Sequence, residues 1–447
     1  MTVFQAFQPF SMQFTRDQII QLAPDDASVK AGQQLATTSK WVSKSVHPQA
    51  LWGDCQGSGS TPYKTMVDLE NMAFKCSCPS RKFPCKHGLG LMLLFLANPT
   101  AFTQQDNLSP SVEEWLSKRT ARAEAKETKE AKPIDEKAQQ KRQEAREKKV
   151  ESGVEELRLW LKDLVRTGII GVPQNAYQFA QNITSRMVDA QAGGLAAQLR
   201  KLQKINYFKE GWQKELLSQI SKLYLLTDAF QKSETLPPDW QLELKLLVGW
   251  TVPKEEVLAN QGIRDEWAVL SKTQEEDGNL QTERIWLYGT QSGRFALILN
   301  FYAAGQLPQH LLVPGSMLPA ELVFFPSVYP LRALVKTQEP IRRQLQTLQV
   351  AGTVADAHAS VAASLGCNPF LDKIPLILSE VQLSRQGATW FSVDPNGDGI
   401  QIKNTGLELW TILALTQGNP FSCFGVFEEE LLDIQAVWFA NEFHPIQ

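Results

Sequence analysis

The sequence predicts a multidomain α+β protein, and three observations predict it. Three cysteines and a histidine fall within twelve residues, from Cys76 to His87, with two short alternating runs before them and an apolar helical run after. Apolar residues then recur at helical period from about residue 153 to 235, and beyond Leu236-Pro237-Pro238 the period falls to two. The expected layout is a small ββα unit, a helical segment and a C-terminal α+β region rich in antiparallel strands. A chain of 447 residues with 43% hydrophobic content can bury more than one core.

Residues 1–116 form the expected N-terminal domain. Residues 16–38 read as helical on Ile19, Ile20, Leu22, Val29 and Leu35, with Asp25 or Asp26 as a cap. Trp41, Val42, Leu51 and Trp52 follow as packing residues. The segment Gly53-Asp-Cys-Gln-Gly57-Ser-Gly59-Ser-Thr61 has the glycines of a phosphate cradle but lacks Gly-Lys-Ser/Thr, and reads as a flexible connection. Tyr63, Thr65, Val67 and Leu69 then alternate like a strand, Asn71 suits a turn, and 73–76 return as a second strand. The run 88–97 is the helix.

Between strand and helix lie Cys76-Ser-Cys78-Pro-Ser-Arg-Lys-Phe-Pro-Cys85-Lys-His87. On an extended segment the thiols of Cys76 and Cys78 share a side, because strand side chains alternate. Pro79 and Pro84 make the six intervening residues a turning loop, which brings Cys85 and His87 back to them. Three thiolates and an imidazole are the closed tetrahedral set of a structural zinc. Disulfides and unpaired buried thiols are the alternatives, and the first does not suit a reducing compartment. Cys55, Cys367 and Cys423 are scattered without a paired framework.

The pattern Cys-x-Cys, short loop, Cys-x-His, set in a ββα layout, resembles the SWIM zinc finger, over roughly residues 41–97. Beyond that the chain is similar to long bacterial members of the family in general layout. The resemblance implies that Cys76 and Cys78 close the second strand, that His87 sits in the first turn of the helix, and that the finger binds nucleic acid or protein. For bacterial members it implies AAA ATPases and von Willebrand A-type proteins as partners. On the nucleic-acid reading, Arg81, Lys82 and Lys86 are the phosphate donors and Phe83 is free to stack. On the other reading that cluster is a solvated loop, Phe83 packs on Leu89 or Leu93, and the chain is a protein adaptor.

Charge gives the nucleic-acid reading little support. Residues 1–100 carry 9 Lys/Arg against 6 Asp/Glu, residues 101–152 carry 12 against 11, and the remainder 24 against 31. Dedicated DNA-binding domains are far more basic.

Residues 117–152 hold almost no large apolar side chain except Ile134 and Val150 and read as a charged linker, helical in part and interrupted by Pro133. Residues 153–235 read as a small helical bundle: Leu157, Trp160, Leu161 and Leu164, then Phe179, Ile183 and Met187 up to a stop at Gly193-Gly194, then Leu195, Leu199 and Leu202, then Leu216, Ile220 and Leu223. Residues 236–447 form the expected α+β region. Trp240, Leu242, Leu244 and Leu246 alternate, as do residues near Trp267, 285–288 and 295–301. Asp277-Gly278 and Ser292-Gly293 suit hairpins, and 390–393 with 399–402 suggest another. A helix is expected near 354–365. Asp394-Pro-Asn396-Gly-Asp398-Gly399 opens like a calcium loop, yet Thr405 stands where that loop needs glutamate, so it reads as a turn.

No catalytic signature is found. The chain has no Gly-x-Ser-x-Gly, His-Glu-x-x-His or Walker lysine, and His47, His310, His358 and His444 stand alone. A zinc deaminase would need His-x-Glu before Pro-Cys-x-x-Cys and an open zinc position. The expectation is a non-enzymatic protein. No basic segment precedes an apolar stretch at the N-terminus, and the longest apolar run, 88–97, is about half a bilayer span, so a soluble cytoplasmic protein without membrane contact is expected.

Overall fold

The computed structural model describes residues 15–446 except 58, 70–71, 81, 128–135, 177, 278–279, 304–311, 340, 342, 347, 349–351 and 404–405. Asn71, Arg81, Pro133, Gly278, His310 and Thr405, read above for their local chemistry, lie outside the described residues.

The N-terminal unit is a five-stranded sheet covered on both faces by helices. It contains α1 (Arg16–Gln21), α2 (Asp26–Leu35), β1 (Trp41–His47), β2 (Ala50–Cys55), β3 (Tyr63–Asp68), β4 (Ala73–Cys76), α3 (Lys86–Ala97), β5 (Thr103–Gln104) and α4 (Pro110–Glu127), with sheet order β4-β3-β2-β1-β5. The helical stretch expected over 16–38 is two helices broken at Pro24, each with its own cap: Thr15 in a capping box with Gln18, and Asp25 accepting from the Ser28 amide at 2.7 Å. One sheet face, with Trp41, Leu51, Val67 and Phe74, packs on α3 and on Ile19 of α1. Val112, Trp115 and Leu116 of α4 cover Ala50, Trp52 and Met66 on the other. Val42, expected to pack, points to solvent. The expected flexible connection is also shorter than read, because Gly53, Asp54 and Cys55 complete β2 and pair with Thr65, Lys64 and Tyr63. Glycine suits that strand: a Cβ on Gly53 would meet the Ser43 carbonyl oxygen at 2.6 Å.

The helical unit follows with α5 (Glu136–Thr167), α6 (Gln181–Asp189), α7 (Gly193–Lys204), α8 (Trp212–Gln231) and α9 (Pro238–Val248). Both boundaries read from the sequence move outward. Val150 lies within α5 and is fully buried, because Val150, Val154, Leu157 and Leu161 recur at helical spacing on its inner side. Arg146 joins it, donating to the Gly249 carbonyl at 3.0 Å and lying over the Trp250 ring. The strand expected at 240–246 is the helix α9. Trp240, Leu244, Leu247 and Val248 share one helical face toward the bundle core, and Pro238 at the first turn starts a helix well, so the alternation was incidental. Gly193-Gly194 opens α7 rather than ending α6.

After α10 (Lys254–Leu258) come β6 (Ile263–Asp277), β7 (Leu280–Gly289), β8 (Phe295–Ala303), β9 (Ser316–Phe324), β10 (Arg332–Gln338) and the short β11 (Arg343–Gln344). The sheet order β10-β8-β7-β6-β9-β11 closes on itself, since β10 pairs parallel with β8 and antiparallel with β9. After α11 (Val354–Cys367) come β12 (Ile374–Gln386), β13 (Thr389–Val393), β14 (Gly399–Gln401), α12 (Leu407–Thr416), β15 (Phe421–Glu428), β16 (Leu431–Phe439) and β17 (Glu442–Pro445). This sheet closes too, through one parallel bridge between Ile402 and Leu432. Each ring has a long first strand that bends at a register shift, near Leu270 in β6 and Glu380 in β12, and so pairs with one neighbour before the bend and another after it. The 394–398 segment is the β13–β14 turn as read: Asp394 accepts from the amides of Asn396, Asp398 and Val354. The rings pack together through Trp286, Phe424 and Trp438, and α1 docks on the first through the Gln18 amide to the Pro314 carbonyl at 3.3 Å.

The crossing of α7 and α9 is testable. A Cβ on Gly194 would lie 2.1 Å from the Leu247 carbonyl oxygen, a backbone atom that cannot swing aside, whereas one on Gly193 would meet nothing within 4 Å. Gly194→Ala is expected to destabilise the bundle by about 1–3 kcal/mol, read as a lower urea midpoint, and Gly193→Ala to leave the midpoint in place. Equal effects would contradict the crossing.

Candidate metal centre

β4 ends at Cys76, and Cys78 follows in the loop rather than on the strand itself. Register sets Thr65 opposite Cys76, so both face the same side of the sheet. The chain then turns back through Pro79 and Pro84 to Cys85, which caps α3, and His87 occupies the helix's first turn as the resemblance implied. The donor atoms of Cys76, Cys78, Cys85 and His87 all lie within 4.8 Å of one another.

The spacing suits an ion better than hydrogen bonds. His87 Nδ1 lies 3.7 Å from Cys76 Sγ and 3.9 Å from Cys85 Sγ. A tetrahedral zinc with sulfur at about 2.3 Å and nitrogen at about 2.0 Å sets its donors about 3.5–3.8 Å apart. The protein groups alone favour one charged thiol. Hydrogen bonds from Cys85, then His87 and Thr65, draw Cys76 well below the usual thiol range, the same pairing with Cys76 pushes Cys85 up, and burial raises Cys78. A divalent cation at the centre would remove that competition by stabilising all three thiolates together.

Surrounding side chains hold the ligands in place. Thr65 Oγ1 lies 3.4 Å from Cys76 Sγ, and the Tyr63 ring lies 4.9 Å from that of His87. Neither supporting role was read from the sequence. Their alternation along β3 was legible, but their position over the centre depends on the β3–β4 register. His87 is 4% exposed, and an unbroken run from His87 to Phe95 is buried between the sheet and α1 and α2. The approach of α2 and α3 is close, since a Cβ on Gly90 would lie 2.7 Å from Leu35 Cβ.

Of the residues named for nucleic acid, Lys82 Nζ pairs with Asp25 Oδ2 at 2.6 Å, which ties the metal loop to the N-terminus of α2. That hydrogen bond, first among several, lowers Asp25 to about 2. Lys86 is exposed at the start of α3. Phe83 is half-buried, packs edge-on against Phe74 with ring centroids 5.7 Å apart, and lies against the cluster that holds Leu89 and Leu93.

The fold and the site define a protein built on a structural zinc centre, with one closed four-ligand site in its N-terminal unit. Residues 63–95 match the SWIM zinc finger family, and residues 145–248 match the SWIM-associated four-helix bundle domain. The chain thus carries a SWIM zinc finger and a SWIM-associated four-helix bundle domain, consistent with that family. The second match takes in α6 to α9 whole and the C-terminal part of α5. No curated protein and no solved structure matches the chain. Among the described residues no helix is long and apolar enough to cross a membrane.

Elemental analysis should return about one zinc per chain, falling toward zero in a Cys78→Ser, Cys85→Ser double variant. Because α3 keeps a core of its own, metal removal should leave most helical circular dichroism intact while opening residues 77–86 to trypsin at Lys82 and Lys86. Full zinc retention in the double variant would refute the ligand assignment.

Proposed function

We propose that the chain is a non-catalytic protein adaptor whose zinc shapes a contact surface on the N-terminal unit. The burial of α3 carries this reading. A finger that reads duplex DNA lays its helix in the major groove and so must leave side chains of that helix free. Here His87 to Phe95 are enclosed by the chain's own sheet and helices. The rim left for a partner is the loop of residues 77–86, and there Lys82 is engaged with Asp25. A closed Cys3His set also lacks the vacant position that catalysis by zinc uses. The partner class implied by the family resemblance is the AAA ATPases and von Willebrand A-type proteins, and a cytoplasmic site of action suits both.

Duplex binding measured against salt tests the proposal. Arg81, Lys82 and Lys86 on three phosphates would give a log–log slope near −2.7 and a loss of about 40-fold between ~50 and ~200 mM salt. The adaptor reading expects no such slope, and a protein partner that survives nuclease treatment but is released by chelation. A steep slope that flattens when all three residues are changed to Gln would overturn it.

A further inference from the structure

The two rings of the C-terminal region repeat one connectivity. With the edge strands β11 and β17 set aside and the remaining strands of each ring numbered from one to five, the order around it is one, two, three, five, four, with three and five parallel; in the second ring α12 lies between three and four. This is the plan of the oligonucleotide- and oligosaccharide-binding barrel, whose ligands lie on the outward face of strands two and three beside the loop from four to five. Fold alone assigns no ligand, so the face itself must decide.

In the first ring, β7 and β8 are strands two and three. Arg284 and Trp286 of β7 point outward together with Leu297 and Phe301 of β8, and Arg332 of β10 joins them opposite Leu297. The second ring covers part of this face, where Trp286 and Leu297 pack with Phe424. Arg284, Leu297 and Arg332 line a cleft of about 970 Å³, bounded by the β9–β10 loop and, across the gap, by the helical bundle; Phe301 lies outside that lining, its ring centre 5.9 Å from the Arg332 guanidinium. That volume is at the upper end for ligand sites.

Arg332 is the feature that points to a ligand. Its guanidinium makes no hydrogen bond or ion pair with another described residue, and its Nε is buried without a partner. It lies 4.2 Å from the centre of the Phe325 ring and 5.9 Å from that of Phe301. Among the described residues this half-buried cation, held between two rings, has no anion, and a neutral oligosaccharide would not supply one. Phe301 is 53% exposed beside it and presents a face on which a base can stack.

We propose that this cleft binds single-stranded nucleic acid, with Arg332 taking a backbone phosphate and Phe301 stacking on a base. Six basic and six acidic side chains line the cleft, so its field is close to neutral and binding rests on stacking with few phosphate contacts. The second ring is left out because residues 374–438 carry 2 basic and 8 acidic side chains. The site lies apart from the finger, and the adaptor reading does not depend on it.

Fluorescence anisotropy of a labelled oligothymidylate of ~15 nucleotides with the full chain tests this, a length that spans one barrel's site. Saturable binding is expected at ~50 mM salt, weakened only about three- to sevenfold at ~200 mM, as one or two phosphate contacts require. Phe301→Ala should weaken it about tenfold, the scale of one lost stack, with zinc content and thermal midpoint unchanged, and Arg332→Gln should weaken it and flatten its salt dependence by one phosphate contact. Phe301 is exposed enough that its removal spares the barrel core, so this variant decides the matter even if Arg332→Gln folds poorly. Absence of saturable binding to both oligothymidylate and oligouridylate would overturn the proposal. So would undiminished binding in Phe301→Ala, or equal competition by duplex DNA or a neutral oligosaccharide. The finger variants bear on the adaptor reading alone, so the two proposals fail separately.

Discussion

Helix α3 carries two obligations at once, and the N-terminal unit depends on their being met together. Its first turn supplies His87 to the metal centre, and the residues that follow, to Phe95, are core. In a small finger the metal substitutes for a core that the chain is too short to build. Here the core exists independently, with Ile19, Leu51, Val67, Leu89, Met92 and Phe95 packed in one cluster. The ion's work is therefore local. It fixes the loop between Cys76 and Cys85 against the start of a helix that is already held, and the Lys82–Asp25 pair pins the same loop to α2. An exposed ion pair contributes little by itself. Joined to a metal-anchored loop, it gives the loop one preferred position.

What was legible in the sequence was what is local in the chain. Cys76, Cys78, Cys85 and His87 declare themselves because four ligands within twelve residues need no long-range pairing to meet. The stripes of α7 and α8 were legible for the same reason. Trp240 to Leu246 misled because leucines at every second position, read over a short window, also satisfy a helix whose core-facing members are Trp240, Leu244, Leu247 and Val248. Val150 was visible as an isolated apolar residue, but its membership in the α5 stripe shows only when Val154 and Leu157 are counted with it.

Ring closure was not legible at all. It rests on pairings such as Arg332 with Leu297, or Ile402 with Leu432, between strands that nothing in their local composition matches. The bends in β6 and β12 leave no period-two signature either, because a bulge shifts the alternation just where the strand changes partners. The doubled plan is therefore visible in backbone pairing but not in residue pattern.

The interfaces between units differ in kind, and this bears on the cleft. The two rings share an apolar seam of Trp286, Phe295, Ile377, Phe424 and Trp438, which resembles a domain core and fixes one ring against the other. The bundle meets the rings mostly through polar contacts: Lys201 to Asp372 at 2.5 Å, Lys214 to Glu430 at 3.0 Å, and Asn368 to the buried Glu243 at 2.9 Å, with Phe370 on Trp240 as an aromatic contact. Polar interfaces of this sort hold orientation weakly, and relative motion of the units is the ordinary expectation. On that expectation the seam holds the wall that carries Arg332 more firmly than the polar contacts hold the bundle wall.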